Sequence, residues 1–382
     1  MEAVTGTRQG RDLFRTPVAK KRAVGLVLFV VILGLFFSFN RFPKLDIVDE
    51  DLDAVSGAEV QCFQGFCLER DHATGFLSRW WGFSITYLRL VTMGMTFAFL
   101  IAGLAEAFLF PQGTGHMLRS GGALGRTFKG LAVGPVMNLC SACIVPVSAA
   151  YQRRGGGIEG AIAMVQGSAT MNIPSLAMVF MVFTPLMGFS RLILAVMGAL
   201  LIGPIVAMTV AKAGERADGP PEDPEVPVPV PQEVSSWAEV LSEASRDWAK
   251  ATRGYLVRIG PVMIVAGFAS GLVIQWITPE TVSTYLGNDL TGIAIAATFG
   301  LLINVPLLFE IPLVALLLLL GIGVAPAATL LFTAAAAAAA GPITFWGLSK
   351  VMPRQAIATF ATATWVLGAI GGVAVLGLAL LV

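Results

Sequence analysis

Long uncharged apolar runs alternate with short polar connections along most of the chain. The first run, Ala23–Phe39, follows a basic stretch of Arg8, Arg11, Arg15, Lys20, Lys21 and Arg22. No small-x-small cleavage site follows it, because Phe36–Phe39 and Arg41–Phe42 occupy that place. The pattern predicts an uncleaved anchor over 23–40, with residues 1–22 in the cytoplasm. Phe83–Phe110, Gly130–Gln152, Ile158–Phe183 and Arg191–Ala211 are the next apolar stretches. Two are interrupted, the second of the four by Pro135 and Pro146, the third around Thr170–Pro174. A linker over 212–254 contains GPPEDPEVPVPVPQ, which cannot be helical. Within that linker, Ser235–Lys250 alternates Trp237, Val240, Leu241 and Trp248 with charged residues, predicting an amphipathic helix on the membrane interface. Tyr255–Ile277, Gly292–Leu320, Ala325–Leu348 and Ala356–Val382 complete the apolar set. The small residues Ala334–Ala340 suit close helix packing.

The apolar pattern repeats. A shift of 166 residues places Gly134 on Gly300, Asn138 on Asn304, Pro146 on Pro312, Gly155 on Gly321 and Gly157 on Gly323. If Gly130–Gln152 and Gly292–Leu320 dip into the bilayer and return, each repeat crosses an odd number of times, so the second is inverted. The charge bias agrees. Arg119–Lys129, Arg153–Arg154, the linker and Lys350–Arg354 then lie inside, and the acidic segments 41–80 and Thr278–Thr291 lie outside. The expected fold is an all-α polytopic membrane protein of two inverted repeats with broken or re-entrant helical hairpins, plus an extra N-terminal transmembrane helix. Its divisions are a cytoplasmic N-terminus (1–22), the anchor (23–40), a periplasmic segment (41–82), a first repeat (83–211), the linker (212–254) and a second repeat (255–382). Such paired broken elements are the usual site geometry of a secondary transporter.

Composition strengthens the membrane reading. Residues of the AVILMFWYC set make up 56% of the 382, and charged residues only 13%, where soluble domains carry about a quarter. Mean hydropathy is +0.78. With a net charge of +1 and no long basic stretch, a nucleic-acid partner is not expected. Two histidines, His72 and His116, argue against a histidine-based catalytic zinc or haem site. No Walker motif is present and the Gly155–Gly157 run follows no strand, so nucleotide binding has little support. The expected partners are a small-molecule substrate and the lipid bilayer of a bacterial inner membrane, with homo-oligomerisation left open and no cofactor.

Candidate chemistry concentrates in Asn138-Leu-Cys-Ser-Ala-Cys-Ile-Val-Pro146. Cys140 and Cys143 can converge on one soft centre such as Cu(I), Hg(II) or trivalent arsenic; as free thiols they would also pack as small hydrophobes. Asn138, Ser141 and Pro146 surround them, and Asn172 and Asn304 are further substrate-site candidates. Glu310 stands alone in the second-half motif NVPLLFEIP, where an intramembrane carboxylate is costly and usually functional. It is the expected proton-coupling or cation-binding group, with a neutral glutamate bonded to exposed backbone as the plainer reading. Gln166, Ser168 and Thr170 could line the cavity or bond between helices. Glu106 and Arg89, near opposite ends of one span, are expected to reach the interface. Outside the membrane, Cys62 and Cys67 are expected to form a short-loop disulfide. A different function class, a membrane thiol–disulfide oxidoreductase working through Cys140 and Cys143, would use these two cysteine pairs as a relay.

NLCSACIVPVSAAYQRRGGG followed by GSATMNIPSLAMVF resembles the predicted permease family that contains the organoarsenical efflux permease ArsP and the YraQ proteins. The shared features are the cysteine element, Pro146, Arg154 with its glycines, and Asn172-x-Pro174. The resemblance implies a non-enzymatic inner-membrane efflux permease for a trivalent organoarsenical or similar thiophilic compound. Cys140 and Cys143 would then be the family's motif cysteines.

Overall fold

The structure is a computed structural model describing residues 17–41, 62–63, 66–67, 75–109, 122–137, 139, 141–212, 236–274, 284–303, 310–319, 321–337 and 352–380. Helix α1, Pro17–Phe36, passes into a π turn, Phe37–Arg41. Strands β1 (Cys62–Phe63) and β2 (Phe66–Cys67) pair antiparallel and set Cys62 opposite Cys67. Helix α2, Phe76–Leu104, ends in a second π turn, Ala105–Leu109. Then follow α3 (Ala123–Met137), α4 (Ser141–Tyr151) with a π turn at Gln152–Gly156, α5 (Gly157–Thr170), α6 (Ile173–Val182) and α7 (Pro185–Lys212). The second half holds α8 (Trp237–Ile274), α9 (Leu290–Leu302), α10 (Glu310–Leu319), α11 (Val324–Ala337) and α12 (Arg354–Ala379).

Four described helical stretches are long and apolar enough to cross a membrane: Pro17–Phe39, Thr92–Leu109, Pro185–Lys212 and Arg354–Ala379. Helices α5 and α6, bent by 41° at their break, are apolar enough together to make a broken span or a re-entrant loop. The protein is therefore an all-α polytopic membrane protein. The amphipathic segment and the apolar stretch after it, separated at residue 254 by their composition, are one continuous helix in α8. Its amphipathic end packs on other helices: the Trp248 indole N–H donates to the Leu100 carbonyl at 2.9 Å, and Lys20 of α1 lies over the Trp237 ring. Tyr255 on the same helix donates to Glu106 at 3.0 Å, while Arg89 is exposed.

The 166-residue spacing recurs in the helices themselves. Shifted by 166, α3 becomes 289–303 against Leu290–Leu302, and α5 becomes 323–336 against Val324–Ala337. Likewise α7 becomes 351–378 against Arg354–Ala379, and α4 becomes 307–317 against Glu310–Leu319. The packing recurs too: α3 lies on α5 as α9 lies on α11, and α5 on α7 as α11 on α12. Counterparts also meet, α2 with α8, α5 with α11, and α7 with α12. Gly155 and Gly321, equivalent in this register, both turn with positive φ, 89° and 95°. A side chain there would be strained, so the same special backbone is built twice.

Helix α5 is the centre of the first half, and all of its residues are buried. Small residues make that possible. A Cβ on Gly134 of α3 would come within 2.7 Å of the Met164 carbonyl oxygen, and one on Gly203 of α7 would meet the Glu159 backbone. Helices α3 and α4 both flank α5, with α3 also against α7 and α4 against α2.

Candidate functional site

The first interruption falls where α3 ends. Pro135 removes one backbone donor near the helix end, and Leu139 is non-helical yet fully buried. Buried, unpaired backbone groups would be costly in an apolar interior. A single hydroxyl answers both: Ser168 Oγ accepts from the Leu139 N–H at 3.0 Å and donates to the Leu139 carbonyl at 2.9 Å. Helix α4 then begins at Ser141, which puts Ser141 and Cys143 in its first turn and Pro146 farther along. Asn138 and Cys140 lie outside the described residues.

The second interruption, between α5 and α6, is built around Asn172. Its Oδ1 caps α6 by accepting from the Ser175 N–H at 2.9 Å. Its amide nitrogen donates to the carbonyls of Ser168 and Ala169 at 3.2 and 3.1 Å. One side chain thus serves both helix ends, and Thr170 bonds back to the Gln166 carbonyl at 2.7 Å. The amide of Asn172, a substrate-site candidate from sequence, is engaged with backbone.

The third interruption separates α9 from α10. Helix α9 ends with Ile303 extended, and α10 begins at Glu310; Asn304 lies outside the described residues. Glu310 is 1% exposed and Arg191 of α7 is 0% exposed. Arg191 Nη2 donates to Glu310 Oε1 and to Ser175 Oγ, both at 2.7 Å, and Nη1 donates to the Leu331 carbonyl at 2.8 Å. Ser175 Oγ also lies 3.4 Å from Glu310 Oε1. Removing either charge would strand the other in a low-dielectric interior. The carboxylate opens α10, where the helix N-terminus adds favourable partial positive charge. The ion pair joins the first half, through α6 and α7, to the second, through α10 and α11, beside two helix breaks.

A second ion pair, between the half-buried Arg126 and the buried Glu159, ties α3 to α5. Glu159 is fully buried, and Gly157, at φ 71°, leaves room for the pair: a Cβ there would stand 2.8 Å from Arg126 Nε. Among the described residues, no three His, Cys, Asp or Glu side chains gather as a metal centre requires.

A sequence profile described as a predicted permease, ArsP_1, matches residues 83–376, which takes in the interrupted helices and the Arg191–Glu310 pair. The chain belongs to this permease family. UPF0718 protein YraQ of Escherichia coli strain K12 is 30% identical over 263 residues, covering 66% of this chain and 68% of its own length. UPF0718 protein MJ0584 of Methanocaldococcus jannaschii is 24% identical over 281 residues, 59% of this chain and 75% of its own. No solved structure matches. Helix α1 precedes the matched region.

In the sequence, Arg191 marks only the edge of an apolar run. A signal for it was present, since Arg191 is the one basic residue between Arg154 and Lys212. Glu310 is likewise the one acid after Asp289. Two lone, opposite charges in apolar surroundings are expected to find each other.

Proposed function

We propose that this permease is a secondary-active exporter in a bacterial inner membrane, carrying a small thiophilic solute such as a trivalent organoarsenical or soft metalloid. Its two halves act as inverted repeats, and Glu310 is the proton-coupling group. The observation that carries this reading is the Arg191–Glu310 pair, buried, joined across the halves and placed at helix breaks. A proton arriving on Glu310 cancels its charge, frees Arg191 and loosens the tie between halves. Loss of the proton restores the tie. Such a two-state contact is what alternating access about a central site needs.

Cys140 and Cys143, bracketing the start of α4, would supply the thiolates for the soft centre. Substrate entering from the cytoplasm would meet them beside the first break. Export of trivalent methylarsenical, arsenite, copper and mercury by everted vesicles, with and without a pH gradient, tests the reading. The parent is expected to respond to the gradient. Glu310→Gln is expected to lose that response, and Cys140→Ser and Cys143→Ser are expected to lose thiophilic transport. Proton-responsive transport by Glu310→Gln at the parent rate would refute the coupling role.

A further inference from the structure

Of the polar side chains on α5, Ser168 and Thr170 bond to backbone, and Gln166 does not. Both its amide nitrogen and its amide oxygen are buried with no protein partner. On α12 the hydroxyl of Thr364 is in the same position, fully buried and without a protein partner. That contrasts with Thr329 and Thr333 of α11, whose hydroxyls bond back to the carbonyls four residues before. Leaving three such atoms unmatched is costly, and native interiors rarely do so without a reason.

These residues occupy a special place in the repeat. The 166 offset pairs Gln166 with Phe332, and Gly198 with Thr364. Gly198 touches both members of the first pair: a Cβ there would lie 2.7 Å from Gln166 Nε2 and 3.3 Å from Phe332 Cζ. A residue that meets another residue and its repeat counterpart stands next to the axis relating the halves. Thr364, the counterpart of Gly198, then stands beside that axis too. Leu367, one turn beyond Thr364 on α12, is 3.4 Å from the same point. Gln166, Phe332 and Leu367 thus converge on Gly198 where the halves meet, and Thr364 stands one turn before Leu367 on α12.

We infer that Gln166 and Thr364 form a substrate subsite on this axis, shaped for a small uncharged solute bearing hydroxyl groups. The amide offers N–H donors and an acceptor oxygen, a hydroxyl both donates and accepts, and the Phe332 ring and Leu367 supply an apolar wall. Two ion pairs are matched within themselves, Arg191 with Glu310 and Arg126 with Glu159, and offer no spare charge to an ionic solute. The inference rests on the permease reading and deepens it, since the thiophilic solute would cross the axis as its neutral hydroxide.

The test uses the full chain in proteoliposomes, with methylarsonous acid as neutral probe and 4-carboxyphenylarsonous acid as its anionic counterpart. The neutral probe is expected to move at least tenfold faster. Gln166→Leu is expected to raise its KM at least tenfold and Thr364→Val severalfold, while melting temperatures hold or rise, because each change removes an unmatched buried polar group. Unchanged KM values overturn the subsite, as does a KM change accompanied by a lowered melting temperature, which marks a structural role. If the parent carries neither arsenical, the thiophilic reading fails and the subsite is judged by labelling. Thr364→Cys, in a chain whose native cysteines are serine, is then exposed to neutral methyl methanethiosulfonate. Modification supports a subsite open to small neutral solutes, and absence of modification overturns it.

Discussion

Arg191 Nη2 lies 2.7 Å from Glu310 Oε1, although 119 residues separate them and neither side chain is more than 1% exposed. A contact so buried ties the two halves of this permease together and makes each charge depend on the other. Removing one partner leaves an uncompensated charge, which costs about 3–5 kcal/mol. Arg191→Met and Glu310→Leu alone are therefore each expected to lower detergent-solubilised stability by about that amount. The double variant, with both charges gone, is expected to melt near the parent yet to have lost proton-dependent transport. Thermal melts followed by vesicle export separate these outcomes, and a double variant as unstable as the singles would show that the pair itself stabilises the fold and that a stranded charge is not what the singles lose.

Ser168 is expected to be a stability residue. Its hydroxyl is the partner of both the N–H and the carbonyl of Leu139. Ser168→Ala orphans two buried backbone groups, at about 1–3 kcal/mol for each. Ser168→Val lacks the hydroxyl, adds bulk at a fully buried position, and is expected to fall at least as far. A melting temperature unchanged in Ser168→Ala would mean that Leu139 finds other partners.

Much of this arrangement could be read from the chain, and the part that could not has a clear reason. The offset of 166, the break at Asn172-x-Pro174 and the isolation of Glu310 are local patterns, and the helices recur at that offset. The partner of Glu310 is not a local pattern. Hydropathy set the edge of a span at Arg191, but the helix starts six residues earlier at Pro185, which carries the arginine inside. Burial of a cation is decided by a carboxylate far away in sequence, and periodicity holds no information about that. Glu159 is as little legible for the same reason, its partner Arg126 being on another helix. In α8 the change from amphipathic to apolar composition suggested two elements, but backbone hydrogen bonding continues regardless of which side chains face water or lipid.

Cys62 and Cys67 are set directly opposite each other by the β1–β2 pairing. Opposed residues in an antiparallel pair have Cα atoms about 4.5–5.5 Å apart, inside the range that a disulfide spans. The expected outcome is a bond in protein purified without reductant. Alkylation before and after reduction, read by intact mass, should show two thiols appearing only on reduction. Two thiols already reactive in the unreduced protein would exclude the bond.

Gly134 and Gly300 offer the sharpest test of the repeat. On Gly134 a Cβ would stand 2.7 Å from the Met164 carbonyl oxygen and 2.9 Å from the Ser168 nitrogen. On Gly300 it would meet Thr333 and, at 3.1 Å, the nitrogen of Ala334, which is the counterpart of Ser168 in the 166 register. Both glycines thus let one helix press against the backbone of the central helix of its own half. Overpacking of this kind costs about 1–3 kcal/mol. Gly134→Ala and Gly300→Ala are each expected to lower stability within that range, with Gly134→Ala the more severe because it meets rigid backbone on two sides. Gly321→Ala, where nothing lies within 4 Å of the new Cβ, isolates the backbone term and should cost only the strain of a positive φ, about 1–2 kcal/mol. Melting curves on the three variants check the series, and a Gly300→Ala protein as stable as the parent would break the equivalence of the two halves at this helix contact.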